Sequence, residues 1–352
     1  MSVQKRREEL TALNLLFCFM VLWSHCSGHP INVLDHSSWQ YGLMLSLQRL
    51  SFVSVSGFFF LSGVKLTLNS ASSPPPPLGR YWAKRGKAIF LPYLLAVGVY
   101  YVYFVRHGYF SFSLRDLAGY AIRGDLSAPF YFVIALAQFV LLVPLFRWLP
   151  RRWSPSVLLP ISLGITWLSA LYFGEILGLL IPGAHFAYND RLFTTYLVYY
   201  VGGCCAGQNY PRFLELLDRN RPLLTACALC FAGADLFFSW KFFVGGQNVP
   251  FLEMIHTLYQ LTAIPALFAL AVRHPVTLSP LARRMDWASF LVYLYHSLVI
   301  TWFNDLAWRL GIRRVSVQFL LRVLTVYSLT FLGAMAWQWM LARVRRPLSL
   351  KI

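Results

Sequence analysis

The chain alternates between long apolar runs and short clusters of polar and basic residues, and the runs have the length that crosses a bilayer. A spanning helix needs about 20 predominantly apolar residues. About ten stretches qualify, near residues 9–27, 43–66, 88–105, 128–147, 155–180, 192–209, 222–244, 254–272, 286–304 and 315–341. The expected fold class is all-α and integral to a membrane, with about ten transmembrane helices. A single domain over residues 1–352 is expected, because the connections reach only about twenty residues, below the usual domain size. The first run is too long for a signal peptide and lacks a small-residue cleavage site, so it reads as a true first helix. Composition agrees: hydrophobic residues make up 58% of the chain and charged residues 12%, and the mean hydropathy is +0.56. Soluble domains carry about 25% charged residues, so most of this chain belongs in lipid.

Basic residues set the expected orientation, because Lys and Arg in short loops are retained on the cytoplasmic side. The start carries Lys5, Arg6 and Arg7. Alternate connections then hold Arg80, Lys84, Arg85 and Lys87; Arg147, Arg151 and Arg152; Arg212, Arg219 and Arg221; and Arg273, Arg283 and Arg284. The tail adds Arg343, Arg345, Arg346 and Lys351, whereas the opposite connections are poorer, with Arg106, Arg115, Arg123, Arg191, Arg309, Arg313 and Arg314. Both termini are expected to be cytoplasmic, as an even helix count requires.

A net charge of +18 raises nucleic acid as a partner. Here the cations flank apolar spans, so topology and anionic lipid headgroups account for them, and no nucleic-acid partner is expected. Cys18, Cys26, Cys204, Cys205, Cys227 and Cys230 all fall in or beside spans, which argues against a disulfide framework. Cys227 and Cys230 form a C-x-x-C pair without a second pair, so packing is the better reading and no metal site is expected. The run from Ser72 through Pro77 contains four prolines, which stop the second span and make a stiff connector.

Two places carry candidate chemistry. His25 lies near the end of the first apolar run, and an imidazole in a membrane helix marks function by default. Lys84, Arg85 and Lys87 lie within a turn of one another before Ala88-Ile89-Phe90-Leu91-Pro92-Tyr93. They read either as interfacial anchors with Tyr81 and Trp82 or as a clamp for the phosphates of a nucleotide-bearing thioester. Other polar residues inside spans are His296, Asp235, Glu175, Glu253, His256, Arg49, Lys65 and Arg322. Glu253 and His256 are spaced to share a helix face.

In order along the chain these segments resemble the bacterial membrane acyltransferase 3 family. His25 fills the histidine position of that family's first helix. Phe58-Phe59-Phe60-Leu61-Ser62-Gly63 is similar to its F-F-x-L-S-G signature, and the segment from Lys84 to Tyr93 looks like its R-x-x-R stretch. Phe130-Tyr131-Phe132-Val133 with Gln138 and Pro144 resembles its fourth helix, and Tyr293-Leu294-Tyr295-His296 resembles its late Y-L-x-H helix. Two positions depart from the pattern. Asn14 stands eleven residues before His25 where the family has Arg or Lys, and Ala88 takes the second Arg position counted from Arg85.

The resemblance implies a multi-pass enzyme of the bacterial inner membrane. It would move an acyl group, usually acetyl, from cytoplasmic acyl-CoA to a hydroxyl of an envelope glycan or similar acceptor, with no tightly bound cofactor. In that chemistry His25 acts as general base, or as the carrier of an acyl-histidine intermediate. Asn14, Ser24, Ser62 and Tyr93 are candidate oxyanion donors, and His296 is a candidate support for the site. Outer-loop residues such as Asp35, His36, Trp39, Arg115, Asn189 and Asp190 would meet the acceptor. The alternative function is a transporter or flippase of a glycan or lipid-linked intermediate without covalent chemistry, although no paired interrupted segments mark the two halves. The oligomeric state stays open.

Overall fold

The computed structural model describes residues 7–72, 77–183, 186–275 and 277–345, and among them every regular element is helical. Lys5, Arg6, Arg346 and Lys351, and Ser73 to Pro76 of the expected connector, lie outside the described residues. In chain order the α-helices are α1 (Glu8–Cys26), α2 (Gly28–Val33), α3 (Trp39–Ser51), α4 (Val53–Ser72), α5 (Leu78–Arg85) and α6 (Leu91–Arg106). Next come α7 (Leu114–Arg123), α8 (Tyr131–Leu141), α9 (Val143–Arg152), α10 (Pro155–Trp167), α11 (Phe173–Leu180) and α12 (Leu197–Gln208). The last five are α13 (Tyr210–Arg219), α14 (Arg221–Phe243), α15 (Leu252–Arg273), α16 (Pro280–Arg309) and α17 (Val315–Arg345).

Seven helical stretches among the described residues are long and apolar enough to cross a membrane: Glu8–Val33, Trp39–Leu68, Leu78–Arg106, Pro155–Leu180, Arg221–Phe243, Leu252–Arg273 and Val315–Arg343. The pair Leu114–Arg123 and Ala128–Leu141, bent by 56°, makes an eighth if counted as one span. Two of the ten stretches read from the sequence stand outside this set. The stretch at 192–209 resolves into a 3₁₀ turn and α12, whose 12 residues reach only about 18 Å at 1.5 Å per residue. The stretch at 286–304 lies in α16, which at 30 residues is long enough but is diluted by Asp286, Ser289, His296 and Asn304.

The chain divides into two compact units. One comprises Met1–Ser54, Leu236–Val249 and Leu270–Ile352, and the other Val55–Asp235 and Pro250–Ala269. In the first unit α1 packs on α3, α16 and α17, and α16 pairs with α17 over the greatest length. Polar and aromatic contacts set the register. Glu8 pairs with the Arg283 guanidinium and accepts from the Leu278 amide at 3.0 Å. Nearly two turns further along α1, Asn14 Nδ2 donates to Asp286 Oδ1 at 2.8 Å and to Ser289 Oγ at 3.0 Å. At the far end the rings of His25 and His296 meet. Positions on α1 and α16 therefore rise together, and the two helices run parallel.

Helix α17 runs the other way. Tyr327 donates its hydroxyl proton to the Phe19 carbonyl at 2.6 Å, Trp23 sits edge-on to Phe319, and Arg322 reaches the Cys26 carbonyl. The beginning of α1 and the end of α17 consequently lie at the same end of this unit. In a low-dielectric interior each unmade polar bond is costly, so these contacts define one helix register where leucines alone would allow several.

The second unit is centred on α12, whose Leu197 to Val201, Gly203, Cys204, Ala206 and Gly207 are buried. A 12-residue helix that is buried except for the half-buried stripe of Gly202, Cys205 and Gln208 is not a lipid-facing span. Small residues let α4 approach it closely. A Cβ built on Gly63 would overlap the Tyr200 carbonyl oxygen, and one on Gly203 would overlap the Phe60 carbonyl oxygen. Thr67 on α4 closes the seam by donating to the Cys204 carbonyl at 2.9 Å. Gly63 thus ends the F-F-x-L-S-G stretch for a steric reason. Gln138 serves the same unit, donating to the Arg191 carbonyl at 2.6 Å and accepting from the Phe193 amide at 3.1 Å.

Glycine at the α4–α12 seam has a measurable consequence. Gly203→Ala forces two backbones apart and is expected to cost about 2 kcal/mol by overpacking. Gly202→Ala, whose added carbon would meet only side-chain atoms at 3.7 Å, is expected to be neutral or slightly stabilising through helix propensity. Thermal unfolding of the two variants in detergent checks the contrast.

Candidate active site

His25 occupies the last turn of α1, whose helix breaks at Ser27. Its half-buried ring lies against His296 of α16, with centroids 4.9 Å apart and planes at 50°. Among the described residues the His25 ring has no hydrogen-bond partner, so its nitrogens are open to a reactant. His296 is fully buried. Its Nδ1 lies 2.7 Å from the Tyr293 carbonyl and 3.3 Å from the Val292 carbonyl. A carbonyl only accepts, so Nδ1 carries the proton of the neutral ring, and Nε2 presents its lone pair. That Nε2 is buried and has no partner among the described residues. The sequence singled out both histidines, and the parallel pairing of α1 and α16 brings them together.

The remaining expected site residues are less available. Asn14 lies about 16 Å along α1 from His25 at 1.5 Å per residue, and its amide is spent on Asp286 and Ser289. Ser24 Oγ donates to the Val21 carbonyl at 2.9 Å, and Ser62 Oγ to the Phe58 carbonyl at 2.8 Å, both within their own helices. Tyr93 is buried and donates to the Ala121 carbonyl at 2.9 Å, which ties α6 to α7. None of these four hydroxyl or amide groups has an unspent donor in the way that His25 and His296 have unspent nitrogens.

Lys84 and Arg85 end α5, and Lys87 follows in the wide turn Gly86–Phe90, where one extra residue is taken into the helix. Lys84 and Lys87 are exposed and Arg85 is half-buried. Trp82 anchors the segment by donating Nε1–H to the Val140 carbonyl at 2.9 Å. The fold adds a cation that the sequence reading placed only in a topological list. Arg147 on α9 lies 5.0 Å from the Tyr81 ring centre, and Arg85 lies 5.6 Å from the same ring. Arg147 Nε is buried without a partner. No carboxylate among the described residues pairs with Lys84, Arg85, Lys87 or Arg147, so the cluster keeps its charge for something else.

The profile of the Acyltransferase domain family matches residues 7–339, nearly the whole chain. The chain belongs to the membrane acyltransferase 3 family. No curated protein and no solved structure is detectably similar to it.

The acyltransferase holds a second buried polar pair in its other unit, which the sequence reading left as separate residues. Asp235 of α14 is fully buried, and its Oδ2 lies 2.9 Å from Nδ1 of His256 on α15. One turn along α15, Gln260 accepts a hydrogen bond from Ser56 of α4. Glu253 and His256 are spaced to share a face of α15, and across the helix interface His256 meets Asp235. The signal available in the sequence was a lone aspartate inside an apolar run, and the spacing rule for a single helix does not reach across two helices. An apolar cavity of about 520 Å³, lined by Phe60, Leu159, Val198, Phe213, Leu261 and Ile264 among others, contains none of the expected site residues.

Removing one side of the buried Asp235–His256 hydrogen bond costs the other that contact. Asp235→Ala is expected to lower stability by about 2 kcal/mol, and His256→Ala in that background should add much less than it costs alone. A double-mutant cycle on the detergent-solubilised acyltransferase measures the coupling, which should fall to zero if the two side chains act independently.

Proposed function

We propose that the protein transfers an acyl group, acetyl by family resemblance, from acyl-CoA to a hydroxyl of an envelope glycan or similar acceptor, with His25 as general base. The reading rests above all on the His25–His296 pair: an imidazole with unspent nitrogens beside a second imidazole whose proton is held on Nδ1. The charge pattern and the family resemblance support placement in the bacterial inner membrane with cytoplasmic termini.

The chemistry balances without a cofactor. A thioester is already activated, but an alcohol is a poor nucleophile until its proton leaves. The neutral His25 ring takes that proton as the acceptor oxygen bonds to the thioester carbonyl carbon. The C–S bond then breaks, the ester departs, and the proton passes from His25 to the CoA thiolate. His296 Nε2 is a fixed acceptor for an N–H on His25, so it would steady the protonated ring during transfer. The donor's phosphates would be met by Lys84, Arg85 and Lys87, with Arg147 joining them. Lysine supplies point charge there, and arginine adds the bidentate fork.

One observation favours a second reading of the base. The Asp235–His256 pair has the carboxylate-to-Nδ1 geometry that holds an imidazole in its basic tautomer. In that version His256 takes the proton and His25 is a structural ring.

Radiolabelled acyl transfer to envelope material separates the two. His25→Ala is expected to reduce transfer at least ~100-fold, the usual lower range for a lost general base, at unchanged protein level. Unchanged transfer in His25→Ala, with loss in His256→Ala, would overturn the His25 assignment and support the second. For the donor, the Arg85→Ala Lys87→Ala double variant should weaken CoA binding about tenfold or more, from the loss of two charge-assisted contacts. Unaltered CoA affinity would return the segment to the role of interfacial anchor.

A further inference from the structure

Arg322 lies two turns into the apolar helix α17, is 1% exposed, and has no carboxylate partner among the described residues. Its Nε–H donates to Asn304 Oδ1 at 3.0 Å, and Nη1 reaches the Cys26 carbonyl at 3.4 Å, the last turn of α1. The guanidinium also stands 5.6 Å from the Phe303 ring centre. An amide oxygen, a helix C-terminus and a ring face soften the cost of burying this charge but do not neutralise it. Most of its N–H donors stay unspent.

Two further buried polar atoms lie at the same end of this unit without partners among the described residues. His29 Nδ1 belongs to α2, which packs on α17. Trp23 Nε1 belongs to the ring set edge-on to Phe319, one turn before Arg322. The mouth of the same end is basic as well. Arg309 closes α16, and Arg313 and Arg314 lead into α17, all three exposed and none paired with a carboxylate among the described residues. This connection is cationic although the charge rule expects its side of the membrane to be poor in Lys and Arg, so topology does not explain it. His25, the residue beside Cys26, sits at this end too.

We propose that Arg322, with His29, seats an anionic group of the acceptor, a carboxylate or a phosphate on the hydroxyl-bearing saccharide, and that Arg309, Arg313 and Arg314 draw that anion in. The acceptor's charge settles on the guanidinium fork and its hydroxyl falls beside His25. Neutral saccharides lack the group that would repay desolvation of the site. The substrate class deepens the acyltransferase reading and rests on it, but binding can be read without any chemistry.

The test uses the full-length protein in detergent and three probes: methyl glucuronide, glucose 1-phosphate and methyl glucoside. Thermal shift and isothermal titration should show binding of one or both anionic sugars at least tenfold tighter than the neutral one, and which of the two binds distinguishes carboxylate from phosphate. Arg322→Gln should abolish the preference, Arg322→Lys should weaken it several-fold, and Arg313→Gln Arg314→Gln should reduce its dependence on salt. Arg85→Ala Lys87→Ala should leave it intact, which separates this seat from the donor cluster. Equal affinity for the neutral and anionic probes in the wild-type protein overturns the proposal, and so does a preference that survives Arg322→Gln. Should Arg322→Gln not fold, the wild-type ranking and the Arg322→Lys titration still decide. If the anion preference stands while His25→Ala keeps full transfer, the base assignment fails and the seat remains.

Discussion

The pairing of α1 with α16 and α17 is the constraint on which the His25 end depends. An isolated α1 is apolar all round and has no preferred rotation or depth against its neighbours. Glu8 with Arg283, Asn14 with Asp286 and Ser289, and Tyr327 with the Phe19 carbonyl give it both. Each is a polar contact where water is scarce, so a slip of one turn would strand several groups at once. The juxtaposition of His25 and His296 is the product of that register.

Seen this way, Asn14 has a different significance from the one its family position suggests. It stands where relatives carry a cation, yet it is a turn-to-turn fastener in this chain, far along α1 from His25. A buried cation at the histidine's end, Arg322, is supplied from α17. Charge near the site is therefore contributed by a helix at the other end of the sequence.

The second unit shows the same economy with different means. Its central helix is held by glycines that let carbonyls and backbone approach, and by Thr67 closing the seam with Cys204. Its buried polar contacts include the Asp235–His256 pair. That buried contact between a carboxylate and an imidazole ties α14 to α15.

Much was legible in the sequence. Apolar run lengths announced an all-helical membrane protein, and the cost of a polar ring in lipid singled out His25 and His296. Short motifs in order gave the family. Those features are local, and local patterns determine helix formation, burial and the kinds of side chain available. Tertiary structure alone decided who meets whom: that His296 faces His25, that Asp235 meets His256, that Arg147 joins Arg85 around Tyr81, and that α12 is a short, mostly buried helix instead of a full span. The physical reason is that pairing across helices depends on rotation and register. Hydropathy is nearly blind to both, because an apolar helix offers lipid and protein the same surface, and only the sparse polar contacts tell its faces apart.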